Sequence, residues 1–118
     1  MLEDSFDMYV QQDAQNIAKD ITIPWDKYAK KTVLVTGATG LLGSLTIKAL
    51  ACRNRLFDTD INIIAHVRNR DKAMDIFKDM LDRPYFKIIV GDICDSIPAG
   101  HADYIIHGAS TTSSSDFI

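Results

Sequence analysis

The sequence predicts an α/β protein: a partial, doubly wound parallel sheet of about four strands, ordered 3-2-1-4, behind an amino-terminal helical extension. Two observations carry this. The stretch Val33-Leu34-Val35-Thr36-Gly37-Ala38-Thr39-Gly40-Leu41-Leu42-Gly43 runs from a β-branched segment through three glycines spaced three apart into a helix-favouring apolar segment. From Thr32 onward, short β-branched runs alternate with segments of helical periodicity, which implies parallel strands joined by crossover helices.

Residues 1–31 form the extension. Phe6, Tyr9, Val10, Ala14, Ile17 and Ala18 recur at intervals of three and four, so they are expected on the buried face of an amphipathic helix. Ile23-Pro24-Trp25 breaks that pattern, and Trp25 is the expected anchor on the body of the protein. Residues 32–118 form the second unit, expected to be cut short after its fourth strand.

Within it, Thr32–Thr36 is strand one. Helix one is expected from Gly40 to about Arg53, with Leu41, Leu42, Leu45, Ala49 and Leu50 on its inner side. Ile61–Val67 is strand two, a β-branched run suited to a sheet covered on both faces. Asp71 is the expected cap of helix two, which runs to about Leu81 with Met74, Phe77, Met80 and Leu81 as its apolar stripe. Phe86–Val90 is strand three, closed by Gly91, and Tyr104–His107 is strand four, preceded by the turn Ile97-Pro98-Ala99-Gly100.

Composition excludes several classes. The chain has 118 residues, 47% hydrophobic and 25% charged, and a net charge of -3, which gives no reason to expect nucleic acid or an anionic membrane as partner. The acidic start Met1-Leu2-Glu3-Asp4 has no apolar signal region, and no apolar run reaches the roughly 20 residues that span a bilayer. Cys52 and Cys94 form no CxxC pair, and both are expected to be reduced, mostly buried thiols of a cytoplasmic protein. His66, His101 and His107 lack ligand-like spacing, so no metal site is expected. His107, inside an apolar strand, reads as a satisfied core histidine; His66 and His101 read as structural or solvent-facing.

The three glycines have different physical tasks. Gly37 lets the chain turn sharply off the strand, Gly40 removes a side chain where a pyrophosphate would approach backbone N–H groups, and Gly43 lets the helix pack closely on the sheet. The uncapped amides and positive end of that helix then face the phosphates, with Thr36 and Thr39 adding hydroxyls. A P-loop is excluded, because the chain contains no Gly-Lys pair.

Thr36-Gly37-Ala38-Thr39-Gly40-Leu41-Leu42-Gly43 resembles the fingerprint of the extended short-chain dehydrogenase/reductase superfamily, which includes NAD-dependent nucleotide-sugar epimerases and dehydratases on a Rossmann-type fold. Gly91-Asp92-Ile93 resembles that family's adenine-contacting segment. Asp103-Tyr104-Ile105-Ile106-His107-Gly108-Ala109-Ser110 resembles its strand-four motif. The resemblance covers residues 32–112 and implies cofactor contacts at Gly37, Thr39, Gly40, Leu41, Leu42, Gly43, Asp92, Ile93, Ala109 and Ser110. An acidic residue closing strand two would bind a ribose 2′-hydroxyl. Here the strand ends in Arg68-Asn69-Arg70, with Asp58 and Asp60 at its far end, so Arg68 and Asn69 lean the expectation towards NADP over NAD.

The resemblance also implies chemistry by a Tyr-x-x-x-Lys pair, in which the lysine lowers the tyrosine pKa. Tyr9, Tyr28, Tyr85 and Tyr104 are followed at that spacing by Asp13, Thr32, Ile89 and Gly108, so no catalytic residue is assigned. The expectation is the coenzyme-binding part of an epimerase- or dehydratase-like oxidoreductase whose substrate is a nucleotide sugar; a non-catalytic NAD(P)-binding sensor is the alternative. An open strand four would also be a template for self-association through Tyr104–His107.

Overall fold

Strands β1 (Thr32–Thr36), β2 (Asn62–Val67), β3 (Phe86–Val90) and β4 (Tyr104–His107) lie parallel in the order β3-β2-β1-β4, as the alternation predicts. The computed structural model describes residues 1–91 and 102–108. Thr36, the last residue of β1, is in register with His66 of β2 on one side and His107 of β4 on the other. Beyond β1 the chain steps away through β2 and β3, and β4 then pairs on the opposite side of β1. The crevice at the carboxyl ends of β1 and β4 is therefore the point where strand order reverses.

Alternation along the strands divides two apolar layers. Val33, Val35, Ile63, Ala65, Val67 and Phe86 meet Ile47, Leu50 and Ala51 from helix α2 (Leu41–Phe57) and Ala73 from helix α3 (Arg70–Ile76) in the main core. Leu34, Ile64 and Ile89 form a smaller cluster on the other face, against Ala102. β4 is an outer strand of the described sheet, and Ile105 is 53% exposed on it.

Several boundaries differ from expectation. Helix α2 continues one turn past Arg53 because Asn54 is buried and shares both amide groups with Ile61: its Nδ2 donates to the Ile61 carbonyl (2.9 Å) and its Oδ1 accepts the Ile61 N–H (2.8 Å). Asp58 then ends the helix in the left-handed conformation with no glycine to mark the stop (φ 52°, ψ 42°). Helix α3 is shorter than expected. Asn69, not Asp71, caps it, accepting the Lys72 N–H at 3.1 Å. After Ile76 the chain proceeds through tight turns, with Met80 N donating to Phe77 O and Arg83 N to Met80 O. A three-residue spacing is served by such turns as well as by α-helix, so Phe77 and Met80 are still fully buried while Met74 is exposed.

Leu41 and Leu42 are not on the inner side of α2. They occupy its first two positions, past the end of the sheet, and are 82% and 68% exposed. The inward contact there belongs to Gly43.

The extension forms helix α1 (Met8–Ala18), capped by Asp7 and packed on α2. Its buried face is Gln11, Ala14 and Ala18, whereas Phe6 and Tyr9 are exposed. Small residues let the two helices approach; aromatic rings at that contact would hold them apart. Trp25 is buried as expected, its Nε1 donating to Asp20 O (3.1 Å) and its ring beneath the Arg53 guanidinium. A second anchor has no signal in the periodicity. Glu3 is fully buried and accepts hydrogen bonds from Arg55, Arg83 and Gln11, binding the first residues across α2 and the approach to β3.

Candidate functional site

At the end of β1 the chain leaves the sheet through Gly37, which adopts the left-handed conformation (φ 60°) that a Cβ disfavours. The Gly37 carbonyl accepts the Gly40 N–H at 3.0 Å, closing the turn, and the Gly40 carbonyl accepts the Ser44 N–H at 2.9 Å, starting α2. Ala38 N donates to the His66 carbonyl (3.3 Å), which ties the turn to the end of β2.

Three backbones meet at this point without side chains between them. A Cβ on Gly43 would stand 2.4 Å from the Gly37 carbonyl oxygen, so α2 could not lie as it does with any other residue there. A Cβ on Gly108 would stand 2.9 Å from both Gly43 Cα and the Thr36 carbonyl oxygen, to which Gly108 N donates at 2.9 Å. Gly108 is therefore a partner of the glycine turn, though it lies 65 residues beyond Gly43 and outside the glycine spacing that signals the turn.

Gly40 differs from Gly43. It is exposed and N-caps α2 with ordinary extended backbone (φ -71°, ψ 170°), and among the described residues a Cβ there would meet the Gly37 carbonyl oxygen at 3.2 Å and the Gly108 carbonyl oxygen at 3.8 Å. Among the described residues no side chain caps the helix. The N–H groups of its opening turn, Leu41 to Gly43, thus face outward at the positive end of a 17-residue helix with no side-chain acceptor of their own. That arrangement suits an anion lying against backbone.

Around this turn, Thr36 is fully buried and its Oγ1 lies 3.2 Å from His107 Nδ1. His107 is exposed, which corrects its reading as a core histidine: on β4, Tyr104 and Ile106 face the main core, and His107 is on the other face. His66 is buried, and its Nε2 lies 3.5 Å from where a Cβ on Gly91 would be, at the end of β3. Arg68 is exposed immediately beyond β2. Asn69 stands beside it with its Oδ1 engaged as the α3 cap, which fixes the side chain and leaves its amide nitrogen to donate to another partner. Asp58 and Asp60 lie before β2, at the opposite end of the sheet, as expected.

The structure thus brings Gly37, Thr39, Gly40, Leu41, Leu42 and Gly43 to one end of the sheet, with Arg68 and Asn69 following the neighbouring strand. Asp92, Ile93, Ala109 and Ser110 lie outside the described residues, as do Cys94 and His101. Among the described residues no group of three or more His, Cys, Asp or Glu side chains could hold a metal ion, and no helix is long and apolar enough to cross a membrane.

Fold and site together define an α/β protein with a four-stranded parallel sheet of Rossmann-like order and a glycine-lined helix start at its switch point. No protein-family model and no curated protein sequence matches the chain.

Proposed function

We propose that this chain binds a nicotinamide dinucleotide, NADP(H) in preference to NAD(H), as the coenzyme-holding part of an oxidoreductase resembling nucleotide-sugar epimerases and dehydratases. The observation that carries this reading is the convergence of Gly37, Gly43 and Gly108, which opens the uncapped start of α2 beside the exposed Gly40. A diphosphate fits there because its oxygens can accept N–H groups that no side chain of the described residues caps. When bound, the nicotinamide supplies hydride transfer. The residues of this chain bind and orient it; the described residues include no tyrosine with a lysine four positions later.

The preference for NADP rests on Arg68, a cation that can pair with a 2′-phosphate where a ribose 2′-hydroxyl would call for a carboxylate. A nucleotide sugar as substrate rests on the resemblance of the glycine and strand-four motifs.

Calorimetric titration with NADP, NAD and their reduced forms tests the reading. Binding of NADP tighter than NAD is expected. A protein folded by circular dichroism that takes up none of the four overturns it.

A further inference from the structure

Among the described residues, a dense cluster of buried polar side chains lies away from the glycine turn. Both carboxylate oxygens of Glu3 are doubly satisfied. Oε1 accepts from Arg55 Nη2 (3.0 Å) and Gln11 Nε2 (3.0 Å); Oε2 accepts from Arg55 Nε (2.9 Å) and Arg83 Nη1 (2.7 Å). The Arg83 side chain is only 5% exposed and its Nη2 donates to the Leu2 carbonyl (2.8 Å). The Arg55 fork grips the carboxylate through two nitrogens, the geometry that makes guanidinium recognition of carboxylates selective.

This receptor is filled by a segment that secondary structure does not secure. Among the described residues, Met1 to Phe6 make no backbone-to-backbone hydrogen bond to the rest of the chain. Their anchors are side chains: Gln11 Oε1 accepts the N–H groups of Glu3 and Asp4, Asp79 accepts that of Ser5, and Asp4 pairs with Lys48 (2.9 Å). Met1 and Phe6, at either end, are exposed. The strap is thus held by the buried Glu3 carboxylate and its N–H bond to Gln11, by the largely buried Asp4–Lys48 pair and by the exposed Ser5–Asp79 contact. Lifting it would leave the guanidinium groups of Arg55 and Arg83 close together without the carboxylate they share, a state that favours capture of another carboxylate.

We propose that Arg55, Arg83 and Gln11 form a carboxylate receptor that Glu3 fills within the chain, and that the amino-terminal strap is a displaceable plug whose place an acidic peptide can take. The carboxyl group of Glu3 is held near pKa 2 by its hydrogen bonds to Arg55, Gln11 and Arg83, against the opposing effect of burial. Protonation therefore does not open the plug at ordinary pH; competition by another carboxylate does.

The test uses the full chain carrying Glu3→Ala, which empties the receptor but keeps the strap. Its thermal midpoint is expected to fall by several degrees, and about 0.2 M acetate is expected to restore at least half of the loss, while chloride at equal ionic strength does not. A synthetic peptide of residues 1–5 is the second arm: recovery with peptide alone assigns the receptor to acidic peptides, and recovery with acetate assigns it to carboxylates generally. If the variant is unfolded, the same additions are read as regain of circular dichroism. In the wild-type chain the Glu3 and Asp4 amides are expected to exchange hydrogen faster than that of Leu34. Absence of carboxylate-specific recovery, or exchange of the strap amides only with global unfolding, overturns the proposal.

Discussion

The carbonyl oxygen of Gly37 sits 2.4 Å from the point that a Cβ on Gly43 would occupy, with Ala38 Cα at 3.1 Å. Both obstacles are backbone, so neither can swing aside. Gly43→Ala is expected to push α2 off the turn and destabilise the fold by about 1–3 kcal/mol, the range for overpacking a close contact. Urea denaturation measures it; an unchanged midpoint would show that α2 can shift freely.

Gly40 separates binding from folding. Its φ of -71° is open to any residue, and the nearest obstacle to a Cβ is 3.2 Å away, so Gly40→Val is expected to fold with a loss of about 1 kcal/mol or less. The side chain would nevertheless project beside the outward N–H groups of α2. Affinity for NADP, read by calorimetry, is expected to drop by at least about tenfold, the equivalent of one lost charge-assisted contact.

Arg68→Glu replaces the cation beyond β2 with a carboxylate. It is expected to weaken NADP binding by about tenfold or more and leave NAD binding within about threefold, because only NADP brings a phosphate to that position. Parallel titrations of both nucleotides check this. Arg68 is exposed, so the thermal midpoint is expected to stay within about 2 °C.

The pH dependence of stability follows from Glu3. Its pKa is lowered from 4.5 to about 2 in the folded chain. A carboxyl group with a depressed folded pKa contributes stability that is fully present above the unfolded value and is lost as pH falls through the folded one. Stability is therefore expected to decline between about pH 5 and pH 2, by on the order of 3 kcal/mol from this group. Glu3→Gln, which keeps the shape and removes the charge, is expected to flatten that part of the profile. Denaturation midpoints across that window measure both.

Cys52 lies in the same cluster, 3.7 Å from Arg55 Nη2, and burial together with the Glu3 carboxylate pushes its thiol up to about 11. Alkylation at neutral pH is expected to leave Cys52 unmodified in the native chain and to modify it once unfolded, as peptide mass mapping will read.

What the sequence disclosed, and what it hid, follows the range of the interactions. The strand order was legible because β-branched runs alternate with helical periods, and the glycine turn because three local backbone constraints fall within seven residues. The face of α1 was misread because Gln11, the polar hub of that helix, breaks an apolar stripe that Phe6 and Tyr9 falsely extend. The end of α2 was misplaced because Asn54 looks like a solvent residue until Ile61 returns to meet both its amide groups. At the site, Gly37, Gly40 and Gly43 announced themselves. Gly108 did not, because its partners Thr36 and Gly43 are more than sixty positions away and a single glycine has no period. The Glu3 cluster left no trace for the same reason: its members stand at positions 3, 11, 55 and 83, and each reads alone as an ordinary surface residue.

That cluster bears on how the chain is made. Glu3 leaves the ribosome before Arg83, which follows it by 80 positions, so its carboxylate must wait without that guanidinium until the chain through Arg83 has been translated. The strap is thus translated before the groove it fills, and whatever precedes it in the chain is carried through that waiting period beside an acidic group that has not yet met its arginines.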